Sequence, residues 1–266
     1  MKWMVLLALA GAAALPAAPQ AERWPRWEPH DPGSARSVDH SDWQVFLDRY
    51  LQADHPSGVH RVRYAQVDTA DREALQAYIE RLQQVPVAML SRDEQIAYWL
   101  NLYNAVTVQL ILDAYPVRSI RRLGGAFSPG PWDDPVVTVD GVELSLNDIE
   151  HRIIRPIWQD PRIHYVVNCA SIGCPNLYPQ AITADNWQQA FEESAFDYIR
   201  HPRGVRFDGS TLVLSSIYDW YVEDFDGSLD GVLEHLGGYL PAEQAARVRA
   251  HSGRVRYEYD WSLNEP

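Results

Sequence analysis

The chain has 266 residues, a formal net charge of −13 and 46% hydrophobic residues, enough apolar material for a core that needs no disulfide to hold it. Apart from Lys2, its positive charge is carried by arginine alone. So acidic a chain lacks the net basic face that nucleic acid or an anionic membrane asks of a partner.

At the N-terminus, Lys2 is followed by the short apolar run Met4–Ala10 and an alanine-rich stretch, the pattern of a secretory signal. Residues 1–21 are read as that signal, cut between Ala14 and Ala21, and the mature protein is expected to be periplasmic or secreted. The run is too short to span a bilayer and no cysteine follows it to carry a lipid, so no integral membrane segment is expected after its removal. Residues 22–41, rich in Pro, Gly, Ser, Asp and His from Pro25 to Ser41, form an extended segment, either a tether or an ordered wrap. Residues 42–266 are read as one domain.

That domain opens with an amphipathic helix bearing Trp43, Phe46, Leu47, Tyr50 and Leu51 behind Ser41 as N-cap. A short strand at Val62–Ala65 and a helix from about Ala70 to Gln84 follow. Ser91-Arg92-Asp93-Glu94 is a capping box. The helix it starts carries no charge between Glu94 and Asp113, which places it in the centre of the domain. Asn101 and Asn104 lie along one edge of it, and a buried unpaired amide costs about 1–3 kcal/mol, so both need partners.

Pro116 ends this helix, and a loop containing Pro129 and Trp132 leads to Val136–Leu144, a hairpin whose turn is Asp140-Gly141. A helix bearing Glu150 and His151 comes next, then Ile163–Val167 as a buried strand. The strand delivers the chain into Asn168-Cys169-Ala170-Ser171-Ile172-Gly173-Cys174-Pro175, which holds both cysteines. Beyond it lie a helix from Trp187 to Ile199, a second Asp-Gly hairpin at Val205–Leu214, the aromatic and acidic patch Tyr218–Phe225, two short helices and a last strand, Val255–Tyr259. Helices interleave with hairpins, so the expected class is α+β, with a central buried helix and further helices packed on an antiparallel sheet built from hairpins.

A thiol entering a Gly/Pro turn is where a nucleophile and an oxyanion site are assembled, with Ser171 and the turn's backbone N–H groups as donors. The alternatives are a Cys169–Cys174 disulfide or buried thiols packed as small hydrophobes. His164 is the nearest base. On a regular strand it faces away from Cys169, which leaves Cys174 as the thiol within its reach; His151 and His235 are alternatives. Ser171 lies outside any G-x-S-x-G elbow. No C-x-x-C pair, H-E-x-x-H run or Gly-rich phosphate loop occurs, so neither metal nor cofactor is expected. Glu150, Asp219, Glu223, Asp224 and Asp226, the last four beside Trp220, Tyr221 and Phe225, form either a glycan cleft or the solvated face of a packed aromatic helix.

Tyr98–Ala105, Pro116–Ile120, Leu146 to His151, Asp160–Tyr165, Cys169–Pro175 and Asp219–Phe225 together resemble the domain of unknown function 547 family, over residues 90 to 230 or so. The resemblance implies that both cysteines, His164, Asn101, Asn104, Glu150 and His151 belong to the family's pattern, and it implies no activity. The chain is more loosely similar to papain-like and transglutaminase-like cysteine enzymes, in which the nucleophile opens a central helix. Here Asn101 and Asn104 occupy that place.

Two functions are therefore expected. One is an exported thiol-dependent acyl hydrolase or transferase with Cys174 or Cys169 as nucleophile, His164 as base and Asn104 or Glu150 orienting it. Its substrate, a peptide, glycan or small molecule, would lie against Asn101, Tyr103, Ser171, Trp132, Trp220, Tyr221 and Asp224. The other is a non-catalytic envelope module binding peptide or glycan through the Trp220/Tyr221/Asp224 patch and the Pro129–Trp132 loop.

Overall fold

The structure, a computed structural model, describes residues 19–124 and 130–266. Most of the predicted signal, with its cleavage region up to Ala18, lies outside the described residues, as does Pro129 of the Pro129–Trp132 loop. No helix among the described residues is long and apolar enough to cross a membrane.

Helices α1 (Ser41–Tyr50) and α2 (Thr69–Leu82) pack in sequence onto α3 (Arg92–Ala114), whose residues are buried almost throughout. Ser91 caps α3 as expected, its hydroxyl accepting from Glu94 N–H at 3.2 Å. The carboxylate of Glu94 does not complete a capping box; it accepts from Val38 N–H at 2.6 Å and ties down the segment before α1. Ser41 begins α1 rather than capping it. That leading segment is an ordered wrap: Glu22 N–H donates to His151 O, Trp24 N–H to Arg152 O, and Trp27 is buried edge-on to Trp99.

The first Asp-Gly hairpin forms as β3 (Val137–Val139) and β4 (Val142–Leu144). Asp140 and Gly141 sit at φ 47° and 73°, both positive, as the turn that matches strand twist requires. After it, Asp148–Ile154 is a π-helical turn running into α4 (Arg155–Trp158). Such wide turns occur in short pieces, often at functional sites.

The class is α+β, but its sheets are small. A hairpin pairs β1 (Leu51–Gln52) with β2 (Arg61–Val62), and the rest of the expected Val62–Ala65 strand is a 3-10 turn at Tyr64–Gln66. After α5 (Trp187–Arg200) comes the main sheet, β5 (Val205–Asp208), β6 (Thr211–Ser215) and β7 (Val255–Glu258). It is mixed rather than antiparallel: β7 runs parallel to β6 because α6 (Ile217–Trp220), α7 (Leu229–Tyr239) and α8 (Ala242–Arg249) carry the chain back to the same end. This sheet, α7 and α8 enclose a core of their own, beside the larger one around α3. The central helix thus packs mainly among helices, not on the sheet.

The expected strand at Ile163–Val167 is a 3-10 helix, Pro161–Tyr165. Pro161 stands in its first turn and the Asp160 carboxylate accepts from Arg162 N–H at 2.9 Å, a helix start that outweighs the β-branched residues beyond it. Strand alternation therefore does not decide where His164 points.

Candidate functional site

The cysteine segment is an irregular loop held by the amides of α3. Asn104 Nδ2 donates to Val166 O at 3.0 Å, and its Oδ1 accepts from Asn168 N–H at 2.9 Å. One turn earlier Asn101 repeats the pattern, donating to Ile182 O at 2.7 Å and accepting from Ile182 N–H at 3.0 Å. Each buried amide finds its partners in a backbone that has none of its own, as buried polar groups must. Both side chains are thereby used on backbone, so Asn104 positions the loop rather than orienting His164, and Asn101 presents nothing to a substrate. Asn168 closes the loop, donating to Pro175 O at 2.8 Å and accepting from Ala170 N–H at 2.9 Å. At Gly173 a Cβ would meet the backbone N of Asp260 at 2.7 Å and the Tyr259 ring at 2.9 Å, so only glycine lets the loop lie against the segment after β7.

Both cysteines are free thiols; the expected alternative of a disulfide is not what the structure contains. Cys169 is half-buried. Its sulfur lies 3.1 Å from Ser171 Oγ and 3.0 Å from Tyr259 Oη, and the two hydroxyls are 3.2 Å from each other. Burial disfavours a Cys169 thiolate, but hydrogen bonds from Cys174, Ser171 and Tyr259 outweigh it and bring the thiol below its ordinary pKa. Cys174 is 5% exposed and accepts Cys169 N–H at 3.0 Å. Burial, together with the bond to Cys169 and its charge, pushes Cys174 well above the usual thiol value. Burial and the two sulfurs raise Tyr259 likewise, which keeps it a phenol able to donate to a thiolate. The hydrogen bonds thus favour ionisation of the Cys169 sulfur over that of Cys174 or Tyr259.

The turn supplies no bank of free backbone donors. Cys169, Ala170, Ile172, Gly173 and Cys174 all give their N–H groups to partners inside the protein. Of the expected oxyanion donors, the hydroxyl and the N–H of Ser171 remain, now joined by the hydroxyl of Tyr259.

His164 belongs to a second, adjoining cluster. Its Nε2 lies 2.6 Å from Asp224 Oδ2, which also accepts from Arg155 Nε at 2.7 Å. Burial opposes ionisation of Asp224, yet the bonds from His164 and Arg155 hold its carboxyl far below the usual range. An ionised Asp224 requires the hydrogen on His164 Nε2. The π turn brings Glu150 and His151 in from the other side: Tyr103 Oη donates to Glu150 Oε2 at 2.9 Å, and His151 Nδ1 lies 3.0 Å from Arg155 Nη1. Burial, with the nearby Arg155 and His164, lowers His151 to about 4, so it is neutral. Tyr221 stacks on His164 at 4.0 Å.

Neither sulfur hydrogen-bonds His164, and the expected His164–Cys174 pairing is not formed: Cys174 faces Cys169 N–H and Val167 O. Tyr221 and Asp224 turn inward onto His164 instead of offering a ligand surface. Trp220 is left outside, packed with Tyr259, Trp261 and Trp132, whose rings form a half-buried cluster with centroids 4.6–5.6 Å apart. Tyr259 links that cluster to the Cys169 sulfur. Sequence reasoning missed Tyr259 and Arg155. The i, i+4 spacing of His151 and Arg155 on one helical face was a readable sign of the latter; nothing local marks Tyr259. Among the described residues no three His, Cys, Asp or Glu are grouped to hold a metal ion.

Residues 87–199 match the model of a family described as protein of unknown function, DUF547. The match takes in Asn101, Tyr103, Asn104, Glu150, His164, Ser171 and both cysteines. It ends before Tyr221, Asp224 and Tyr259, and so earlier than the span near residue 230 expected from sequence. No curated protein matches the chain, and no solved structure does.

Proposed function

We propose that the chain is an exported thiol-dependent hydrolase or transferase of acyl groups, with Cys169 as nucleophile. The observation that carries the reading is the contact triangle of Cys169 Sγ, Ser171 Oγ and Tyr259 Oη, because a thiolate needs donors that stay protonated beside it. The sulfur would add to an acyl carbonyl, forming the S–C bond. The Ser171 and Tyr259 hydroxyls are then the donors nearest the oxygen that gains charge. Collapse breaks the bond to the leaving group, which takes a proton from solvent water; water or an amine then cleaves the thioester, gives its own proton back to solvent and restores the thiolate. His164, Asp224, Arg155 and Glu150 form a separate hydrogen-bonded frame that makes no bond to either sulfur.

The aromatic cluster of Trp132, Trp220, Tyr259 and Trp261 favours a second reading, a non-catalytic module that binds peptide or glycan beside the thiol. Cys169→Ser separates the two. The enzyme reading expects iodoacetamide to modify Cys169 in the folded, reduced protein below neutral pH, ahead of Cys174, and expects turnover of activated esters or thioesters to vanish in Cys169→Ser. Thiols that react only after denaturation, or turnover unchanged in that variant, would refute it.

A further inference from the structure

The two thiols stand in one short loop with opposite surroundings. Cys169 is the half-buried one, held by hydroxyls; Cys174 is buried, its sulfur accepting Cys169 N–H at 3.0 Å and lying 3.7 Å from Val167 O. The acyl chemistry above uses only Cys169 and leaves the role of Cys174 open. An outer sulfur held by hydroxyls, with a second thiol five residues on whose sulfur lies against the first cysteine's backbone N–H, is the arrangement in which an oxidised cysteine is captured by its neighbour.

We propose that Cys169 and Cys174 are a peroxide-responsive pair, Cys169 the attacking and Cys174 the resolving thiol, whose disulfide reversibly silences the site. The Cys169 thiolate attacks one oxygen of a hydroperoxide. The O–O bond breaks, sulfur gains the hydroxyl as a sulfenic acid, and the other oxygen leaves as water or alcohol after taking a proton. The Cys174 sulfur then displaces that hydroxyl as water, with its own hydrogen as the proton, and the S–S bond forms. A dithiol reductant supplies two electrons and two protons to restore both thiols. Asn104 holds the entry of the loop at Asn168 N–H, and Asn168 ties that entry to the exit at Pro175 O, so both ends of the segment that carries the pair are anchored.

The inference rests on Cys169 being the reactive thiol, and the experiment separates the two. Reduced full-length protein is first tested for iodoacetamide labelling at Cys169, then treated with stoichiometric hydrogen peroxide and mapped by mass spectrometry without reductant. The expected result is a Cys169–Cys174 peptide lighter by two hydrogens, loss of labelling, and recovery with dithiothreitol. In Cys174→Ser a sulfenic acid on Cys169, trapped by dimedone, takes its place. Labelling at Cys169 followed by overoxidation of Cys169 with no disulfide overturns the pair and leaves the nucleophile standing. No labelling at all overturns both.

Discussion

Glu150 Oε1 and His164 Nδ1 face each other at 3.9 Å in the interior, and neither atom has a hydrogen-bond partner. Their opposite ends are fully engaged, Glu150 by Tyr103 and His164 by Asp224. Each atom thus leaves its hydrogen-bonding capacity unmet inside the protein, which costs energy.

Glu150→Gln keeps the Tyr103 bond through its amide oxygen and replaces a buried carboxyl oxygen that has no partner, so stability is expected to hold or rise, whereas Glu150→Ala orphans the Tyr103 hydroxyl and should cost about 1–3 kcal/mol. Urea unfolding of the three proteins checks the order; a Gln variant as weak as the Ala variant would contradict it.

Gly173→Ala drives a methyl into the Asp260 backbone and the Tyr259 ring. We expect a loss of about 1–3 kcal/mol from overpacking. Because Tyr259 must give way, iodoacetamide labelling of Cys169 should also shift to higher pH. A stability loss with an unchanged labelling profile would show that Tyr259 does not tune the sulfur.

Asn101→Ala and Asn104→Ala each remove two bonds to otherwise unpaired backbone, for an expected cost of about 2–4 kcal/mol in either case. Only Asn104 grips the chain that enters the cysteine loop, so Asn104→Ala should also slow labelling of Cys169 at a pH where the variant is still folded. Equal labelling in the two variants would count against a positioning role.

Acid should weaken the fold in two stages. His40, His151 and His235 are all pushed down to about 4, chiefly by burial, while an unfolded histidine titrates near 6.5. The unfolded chain therefore binds more protons between those values, and stability should fall as pH drops from about 6.5 to about 4. Asp224 has its pKa depressed in the fold, so its contribution is present above the ordinary carboxylate range and disappears only at still lower pH. Urea midpoints across pH check this, with His40→Gln flattening the upper stage and Asp224→Asn the lower. A profile level from neutrality down to pH 4 or so would be inconsistent with neutral buried histidines.

The readable parts of this chain were those written in neighbouring residues. Ser91 announced α3, and Asp140-Gly141 announced a hairpin, because a cap and a positive-φ turn are decided within a few positions. The apolar length of α3 places it at the centre, and two amides in so apolar a helix need partners. His164 was misplaced because Ile163, Tyr165, Val166 and Val167 look like a strand, while Asp160-Pro161, the start signal that prevailed, sits just before them. Tyr259 was out of reach altogether. It arrives at Cys169 from 90 residues away, through the parallel return of β7, and no local pattern encodes a crossover of that kind.

The amides of Asn168 and Ile182 lie in irregular backbone, yet both are bonded to side chains of the most deeply buried helix in the molecule. Their hydrogens can leave for solvent only when the grip of α3's asparagines is broken, so in deuterium they should persist longer than those of other irregular segments. The loop that carries the reactive sulfur thus draws its persistence from α3, and what varies on shorter timescales is confined to the sulfur and the hydroxyls around it.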